Sequence, residues 1–394
     1  MNQKTKVYVG MSGGVDSSLT AALLVEQGYD VTGVYMKNWS RDLPGVKCPW
    51  ADDLADAKRV AVKLGIDFKV FDFETQYKQK VVDYMIDEYR NGRTPNPDVM
   101  CNQEVKFKLF LEAAIEDGAD MIATGHYARV KRLAESDNSI AAISERLHAG
   151  FDKGPGALSN SDSRCSENAA IKSSAGEAGI LLQAVDKNKD QTYFLYRVTG
   201  EALGRTLFPI GEFTKPVVRE MALARGLSTA AKKDSQGICF VGQIGIREFL
   251  GMYIDPKPGE IIDKNSGKVL GRHDGAIFYT LGQRHGLDVG GGLPYYVASK
   301  DMDKNEVYVT TDLNDDTLWK KSIKLANIHW INDKPDKGNY QIRVRHRAPL
   351  TEAKLSYDND LIMLDLINPE RAIATGQSVV VYDGDVCLGG GIIV

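Results

Sequence analysis

No run of about 18 consecutive apolar residues, the length a membrane-crossing helix needs, occurs in this 394-residue chain. Met1-Asn2-Gln3-Lys4-Thr5-Lys6 passes straight into a strand pattern with no signal-peptide core. The expectation is a cytoplasmic protein with no membrane partner. Cysteine is scarce: five residues, at 48, 101, 165, 239 and 387, lie too far apart for a Cys-x-x-Cys metal knuckle, and their odd number does not suggest a disulfide scaffold. No protein-held metal is expected, and any role for these thiols is reactive or none. Positive charge is not in excess either. A formal charge of −4 argues against coating nucleic acid through bulk charge, while leaving room for a local basic surface. What the chain does have is length and 43% hydrophobic residues, enough for two or three domains.

A further absence is more specific. Gly10-Met11-Ser12-Gly13-Gly14-Val15-Asp16-Ser17-Ser18 follows the apolar run Val7-Tyr8-Val9 and precedes a helical pattern, so it is a strand-to-helix turn of the kind that holds phosphate. Two adjacent glycines let backbone approach an anion, and the serines add hydroxyl donors at the positive end of the helix. Yet the Gly-Lys-Ser/Thr ending of a Walker loop, which carries a lysine to the β and γ phosphates, is missing. The segment resembles instead the Ser-Gly-Gly-x-Asp-Ser loop of ATP pyrophosphatases, enzymes that split ATP into AMP and pyrophosphate to activate a carbonyl oxygen. The plain alternative is a glycine turn capped by serines.

Strand patterns at 7–10, 31–36, 68–73 and 121–124 alternate with helical patterns at 17–27, 52–64, 74–91 and 107–117, which predicts a parallel α/β domain. Ligands of such sheets bind beyond the carboxyl ends of the strands, so the opening loop, Met36 and Gly125-His126 are expected to border one crevice. Residues 131–178 are serine-rich and aperiodic, and read as a flexible surface insertion in a first domain spanning 1–226. Short strands at 260–263, 268–271, 276–280 and 295–299 suggest a small β-rich central domain over 227–299. Strands at 306–311, 324–331, 341–346, 352–357, 361–366, 378–382 and 387–394 suggest a C-terminal antiparallel β-barrel over 300–394.

Three segments carry candidate chemistry. In Arg93-Thr94-Pro95-Asn96-Pro97-Asp98-Val99-Met100-Cys101-Asn102 the prolines oppose helix, and Cys101 just precedes the helical pattern near Lys106-Phe107, where the helix dipole favours a thiolate; an inert buried cysteine is the alternative. Asp98 reads as a cap or a substrate contact. Cys239, in Ser235-Gln236-Gly237-Ile238-Cys239-Phe240, is a second reactive candidate or a core residue between apolar neighbours. Together the two suit a persulfide carrier and an attacking or resolving thiol. Cys48 is a minor suspect. For nucleic acid, strand alternation puts Arg343, Arg345 and Arg347 on one face, and Lys189-Asp190-Gln191 before Tyr193-Phe194 mixes groups suited to an RNA loop, or forms an ordinary surface turn.

These segments, with Ala123-Thr124-Gly125-His126-Tyr127-Ala128, Tyr279-Thr280, Gly282-Gln283-Arg284-His285-Gly286-Leu287 and Gly376-Gln377, resemble the tRNA-specific 2-thiouridylases along nearly the whole chain. The resemblance implies an N-terminal ATP pyrophosphatase domain, a small central domain and a C-terminal barrel, acting on the wobble uridine of tRNAs for Lys, Glu and Gln. It implies ATP at Gly10 to Ser17, Met36 and Gly125, with Mg²⁺ accompanying the pyrophosphate. The target base falls to Asn96, Pro97 and Asp98, and tRNA contact to His126, Lys189, Asp190, Gln191, Arg345, His346 and Gln377. Cys239 becomes a persulfide charged by a sulfur-donor protein, and Cys101 a nucleophile that forms a transient disulfide with it. The insertion is longer than the family usually shows. Amidating or lysidine-type ATP pyrophosphatases share the opening loop but need no cysteine pair, and in a nucleotide-binding RNA protein without turnover Cys101 and Cys239 are structural.

Overall fold

The computed structural model describes residues 4–42, 48–132, 178–234, 245–290 and 292–394. Cys239, Cys165 and residues 133–177 of the expected insertion lie outside the described residues.

The first domain is built on five parallel strands: β1 (Lys6–Gly10), β2 (Asp30–Lys37), β3 (Asp67–Asp72), β4 (Met121–Thr124) and the two-residue β7 (Thr206–Leu207), in the order β3-β2-β1-β4-β7. Strand alternation decides the layers. Val7 and Val9 point to one face, against α1 (Val15–Glu26), α2 (Trp50–Leu64) and the helix Lys215–Ala224, while Tyr8 points to the other, against helices over 74–90 and 97–116. Burial on both faces explains why β1 reads as an unbroken apolar run. Chain order reverses between β1 and β4, so the loops after these strands flank a topological switch point.

The helix over 97–116 corrects the sequence expectation. It begins ten residues before the predicted 107, because Asn96 caps it by accepting from the Val99 amide at 3.3 Å and Pro97 takes a first-turn position that needs no amide donor. Cys101 is therefore one turn inside the helix rather than ahead of it. From Cys101 to Leu109 the helix widens to i→i+5 hydrogen bonding, an uncommon geometry often found at functional sites, and a second widened stretch, Lys78–Asp83, packs against it.

The central domain is a four-stranded sheet, β10-β11-β8-β9, made of β8 (Gly259–Asp263), β9 (Val269–His273), β10 (Tyr296–Asp301) and β11 (Glu306–Thr310). The segment expected as a strand at 276–280 is one short turn, Ala276–Phe278, set off by Gly275 at φ +156°. The strand expected to open the barrel at 306–311 belongs here: it pairs with β10 and, in parallel, with β8.

The C-terminal unit is a closed antiparallel barrel of β12 (Trp319–Trp330), β13 (Gly338–Arg343), β14 (Thr351–Asp358), β15 (Leu361–Arg371), β16 (Ser378–Asp383) and β17 (Val386–Ile393), with β17 closing on β12. Two strands from the first domain, β5 (Ala128–Arg132) and β6 (Gly179–Gln183), form a hairpin whose β6 also pairs with β17, Val386 opposite Leu182. Glycine lets β17 lie close against β12 and β16. A Cβ on Gly389 would lie 2.2 Å from the His329 carbonyl oxygen, and one on Gly390 2.1 Å from that of Val379. Arg132 opposes Gly179.

The two domains share one core, in which Leu181, Tyr193 and Tyr196 pack with Val380 and Tyr382. Within it Asp190 accepts from the Arg343 guanidinium at 2.8 Å, from the Thr192 hydroxyl at 2.7 Å and from the Ala184 amide at 3.0 Å. The proposed single basic face of Arg343, Arg345 and Arg347 is thereby corrected: β13 ends at Arg343, which points inward, and only Arg345 and Arg347 are exposed. Replacing Asp190 by Ala strands a buried guanidinium whose Nε already has no partner. The expected loss is about 3–5 kcal/mol of stability, read as a lower urea midpoint, with partial recovery in Asp190→Ala/Arg343→Met. An unchanged midpoint for the single variant refutes the clamp.

Candidate active site

The opening loop leaves β1 at Gly10 and enters α1 with Gly14 as its N-cap. Gly13 has φ +73° and lies against the first turn of α2, where a Cβ would come 2.3 Å from the Asp53 carbonyl oxygen, so glycine is required there on both counts. The Ser12 amide donates to Ser17 Oγ at 3.2 Å, the two hydroxyls stand 3.3 Å apart, and Ser18 Oγ caps the Gly14 carbonyl at 2.7 Å. Ser12 is exposed while Met11, Val15 and Ser17 are buried, so one hydroxyl faces out from a rigid turn. The opening loop lies against both Met36 and Gly125. A Cβ on Gly10 would meet the Met36 methyl at 2.9 Å, and one on Gly125 would meet the Ser17 amide nitrogen at 2.7 Å. The amides at the start of α1, the hydroxyls and the absence of side chains at Gly13, Gly14 and Gly125 together fit a pyrophosphate group.

Asp16 is the carboxylate of this loop, and it belongs to a charge network that no local pattern announced. It accepts from the Tyr127 hydroxyl at 2.9 Å and from Lys215 Nζ at 2.7 and 2.8 Å. Lys215 also pairs with Asp234 at 2.9 Å, and Asp234 takes Lys189 at 2.8 Å and Arg219 at 2.7 Å. Partial burial pushes the Asp234 carboxyl up, but hydrogen bonds from Lys189 and Lys215 outweigh this and hold it at about 2. On the other side of the loop Lys232 bridges Asp53 and Asp56 of α2. Local sequence carries only a faint signal for these residues: Tyr127 stands in a family-like segment, while Lys215, Lys232 and Asp234 stand in none.

The second part of the site is the 93–98 loop. Thr94 lies where three domains meet: its amide donates to the Thr375 carbonyl of the barrel at 2.9 Å, and its hydroxyl stands 3.2 Å from that of Thr280 in the central domain. Gly376, at φ +92°, packs on this loop so tightly that a Cβ would sit 2.8 Å from the Thr94 nitrogen, and Gln377 follows it in the same turn. Asn96 caps the helix, Pro97 is buried and Asp98 is half-buried. Cys101 is buried at 1% exposure in the shared core; among the described residues no disulfide joins Cys48, Cys101 or Cys387. The Asn102 amide nitrogen donates to the Phe194 carbonyl at 3.1 Å, while its buried Oδ1 has no partner.

The positions expected to touch RNA fall into two groups. Lys189, Arg345, His346 and Gln377 keep some exposure, whereas Asp190 is buried in its ion pair and Gln191 exchanges hydrogen bonds with the Tyr127 backbone. His126 is 8% exposed, its Nδ1 is 2.8 Å from the Thr124 hydroxyl, and Phe107 and Phe208 flank its ring; burial first, then Lys106, pushes its pKa well down. His346 stacks on Phe194 with centroids 4.4 Å apart, and burial, with Arg347 and Arg343 nearby, lowers its pKa to about 4. Both imidazoles are neutral at pH 7.

An unfolded histidine titrates near pH 6.5, so between about 6.5 and 4 the unfolded chain holds a proton that folded His346 does not. The stability tied to neutral His346 is thus complete above the unfolded pKa and is lost as pH falls through 4. Histidine NMR titration of the wild type against His346→Gln is expected to assign a midpoint near 4; a midpoint near 6.5 overturns the neutral, stacked state.

Comparison with known proteins agrees with this architecture domain by domain. Residues 5–153 and 165–243 match the family described as tRNA methyl transferase HUP domain, 247–311 the tRNA methyl transferase PRC-barrel domain, and 320–393 the aminomethyltransferase beta-barrel domain. A tRNA-specific 2-thiouridylase MnmA from Bacillus mycoides (strain KBAB4) is 43% identical over 98% of this chain and 94% of its own. One of the same name from Bacillus cereus (strain ATCC 10987 / NRS 248) is 42% identical over the same shares. A solved structure, a predicted subunit of tRNA methyltransferase from Methanocaldococcus jannaschii, is similar over 36% of this chain and 65% of its own, at 25% identity and a TM-score of 0.24. Similarity at this level to full-length relatives of one name, across all three domains, means that the chain belongs to the tRNA-specific 2-thiouridylase family.

Proposed function

We propose that the protein is a tRNA-uridine sulfurtransferase that makes 2-thiouridine at the wobble position of tRNAs for Lys, Glu and Gln, in the cytoplasm. The observation that carries this reading is the pairing of a lysine-free phosphate loop at the β1/β4 switch point with a cysteine-bearing helix whose entry loop is tied to the barrel through Thr94. A methyl transferase, the activity in the family descriptions, draws on a carbon already activated at its donor and has no use for a phosphate loop.

The reaction begins with ATP held by Gly10 to Ser17, Met36 and Gly125. Asp16 is the carboxylate of the loop that would hold a Mg²⁺ accompanying ATP, and the ion would offset phosphate charge. The uridine base, flipped out and bounded by Asn96, Pro97 and Asp98, attacks the α phosphate through O2; a P–O bond forms and pyrophosphate leaves. The terminal sulfur of a Cys239 persulfide, supplied by a donor protein, then attacks C2, and AMP departs with the former O2. Cys101 thiolate attacks Cys239 Sγ, the S–S bond to the base breaks, and 2-thiouridine is released. Two thiols have become a disulfide, so an external thiol reductant must return two electrons before the next turnover. Lys189, Arg345, His346, Gln377 and, deeper in, His126, Asp190 and Gln191 support the tRNA-binding surface.

Cys239→Ser and Cys101→Ser are each expected to abolish 2-thiouridine, measured by mass spectrometry of wobble nucleosides, while tRNA-dependent conversion of ATP to AMP persists. Normal thiolation in either variant removes that cysteine from the scheme, and AMP formation without any tRNA requirement points to a different ATP pyrophosphatase.

A further inference from the structure

The proposed reaction uses nothing from Tyr279 to Leu287, yet this turn of the central domain touches both other domains. The Thr280 hydroxyl stands 3.2 Å from that of Thr94, on the loop proposed to bound the target base. Gly282, at φ +78°, lies so close to the barrel that a Cβ would come 2.3 Å from the Ala372 Cβ. Arg284 follows Thr280 by four residues, at most about 14 Å of fully extended chain, and here the chain is folded back in a turn.

The turn is rigid because its polar groups are paired internally. Gln283 Oε1 accepts from the Thr280 amide at 3.0 Å, Gln283 Nε2 donates to the His285 carbonyl at 2.8 Å, and the Tyr279 hydroxyl donates to the Gly286 carbonyl at 3.2 Å. Two backbone bonds fasten it to β10: the Gly282 amide donates to the Val297 carbonyl at 2.8 Å, and the Val297 amide to the Gln283 carbonyl at 3.0 Å. Lys300 of β10 donates to the Tyr279 carbonyl at 2.9 Å; burial lowers its pKa to about 8, so the amine is still charged at pH 7.

On this rigid base Arg284 and His285 are exposed. Among the described residues neither Arg284 nor Lys300 has a carboxylate within ion-pair distance, unlike Arg93 with Glu88, Lys189 with Asp234 and Arg345 with Glu370. The carboxylates that act on Tyr279 are Asp274, which Arg247 holds, and Asp288, which is exposed. Arg284 can therefore meet an anion without breaking an ion pair of its own. A base turned out of a stacked loop leaves its two flanking phosphates outside the base pocket, and a planar guanidinium matches phosphate oxygens two at a time.

We propose that Arg284 binds a phosphate flanking the wobble uridine and so positions the flipped nucleotide against Asn96, Pro97 and Asp98. The inference rests on the tRNA reading of the protein. It gives the central domain a share in holding the RNA loop, at the point where that domain already touches Thr94.

Binding of an unmodified anticodon stem-loop of a tRNA for Lys to the full-length chain, followed by fluorescence anisotropy at several salt concentrations, tests this. Arg284→Gln is expected to weaken binding about tenfold and to reduce the slope of log affinity against log salt by about 0.7 to 1, with thermal midpoint and ATP affinity unchanged. Arg284→Lys recovers part of the loss, since it keeps the charge without the paired donors. A methylphosphonate on the 5′ or 3′ side of the wobble uridine is expected to cost the wild type about as much at one of the two positions, and to cost Arg284→Gln almost nothing there. Arg272→Gln, an equal loss of exposed charge on β9 of the same domain, is expected to stay within about twofold of the wild type. Wild-type affinity and slope in Arg284→Gln, weakening tied to a lower thermal midpoint, methylphosphonate losses that add in full at both positions, or an equally large Arg272→Gln loss overturns the proposal. Failure of the wild-type chain to bind either the stem-loop or the whole tRNA instead overturns the tRNA reading on which the inference rests.

Discussion

The buried ion pair between Asp190 and Arg343 is the contact on which the geometry of the molecule depends. Both groups are almost fully removed from water, and such a pair is tolerated only where geometry and further hydrogen bonds compensate for lost hydration. Thr192 and the Ala184 amide supply these on the Asp190 side. The pair joins the end of β13 to the turn just ahead of Tyr193, so it sets the barrel on the first domain at one fixed orientation. That orientation brings the Thr375 carbonyl to the Thr94 amide and presses Gly376 onto the loop that leads to Cys101. The loop is thus shaped by barrel residues more than 270 positions away in sequence.

Local chemistry made much of the fold legible. The α/β alternation, the helix ends at Gly65 and Gly92, and the barrel strands each rest on period, glycine and turn signals within a few residues, and these appear in the structure. The misreadings have equally local causes. Two prolines oppose helix in general, yet Pro97 behind an Asn96 cap starts one, since a first-turn amide has no acceptor within the helix and none is lost. Glu306–Thr310 has the composition of any antiparallel strand, and nothing in five residues tells which sheet it will join; that is set by its partners at 260–263 and 296–301.

The candidate site divides along the same line. Gly13, Gly14 and Gly125 are legible in sequence because each stands at a turn directly after or close to a strand pattern, and Met36 because it ends the neighbouring strand. Alternation in Arg343, Arg345 and Arg347 misled because β13 stops at the first of them and the inward arginine is claimed by Asp190. Tyr127, Lys215, Arg219 and Asp234 could not be assembled at all. Each is ordinary where it stands, and only the folded chain gathers their charges beside Asp16.

A net charge of −4 and an RNA substrate are compatible because charge acts through its placement. Two of the basic groups near the proposed tRNA surface already have acidic partners: Lys189 has Asp234 and Arg345 has Glu370. A phosphate backbone arriving here must compete with carboxylates, so each contact yields less affinity than a free cation would give, and salt weakens the exposed ones first. The same competition improves discrimination. Only an anion of the right shape, engaging several of these cations together, recovers what each loses in leaving its own carboxylate, and a diffuse polyanion does not. On the proposed tRNA surface, recognition of a folded RNA loop rests on the fixed spacing of the cations, which the Asp190–Arg343 clamp maintains, more than on their number.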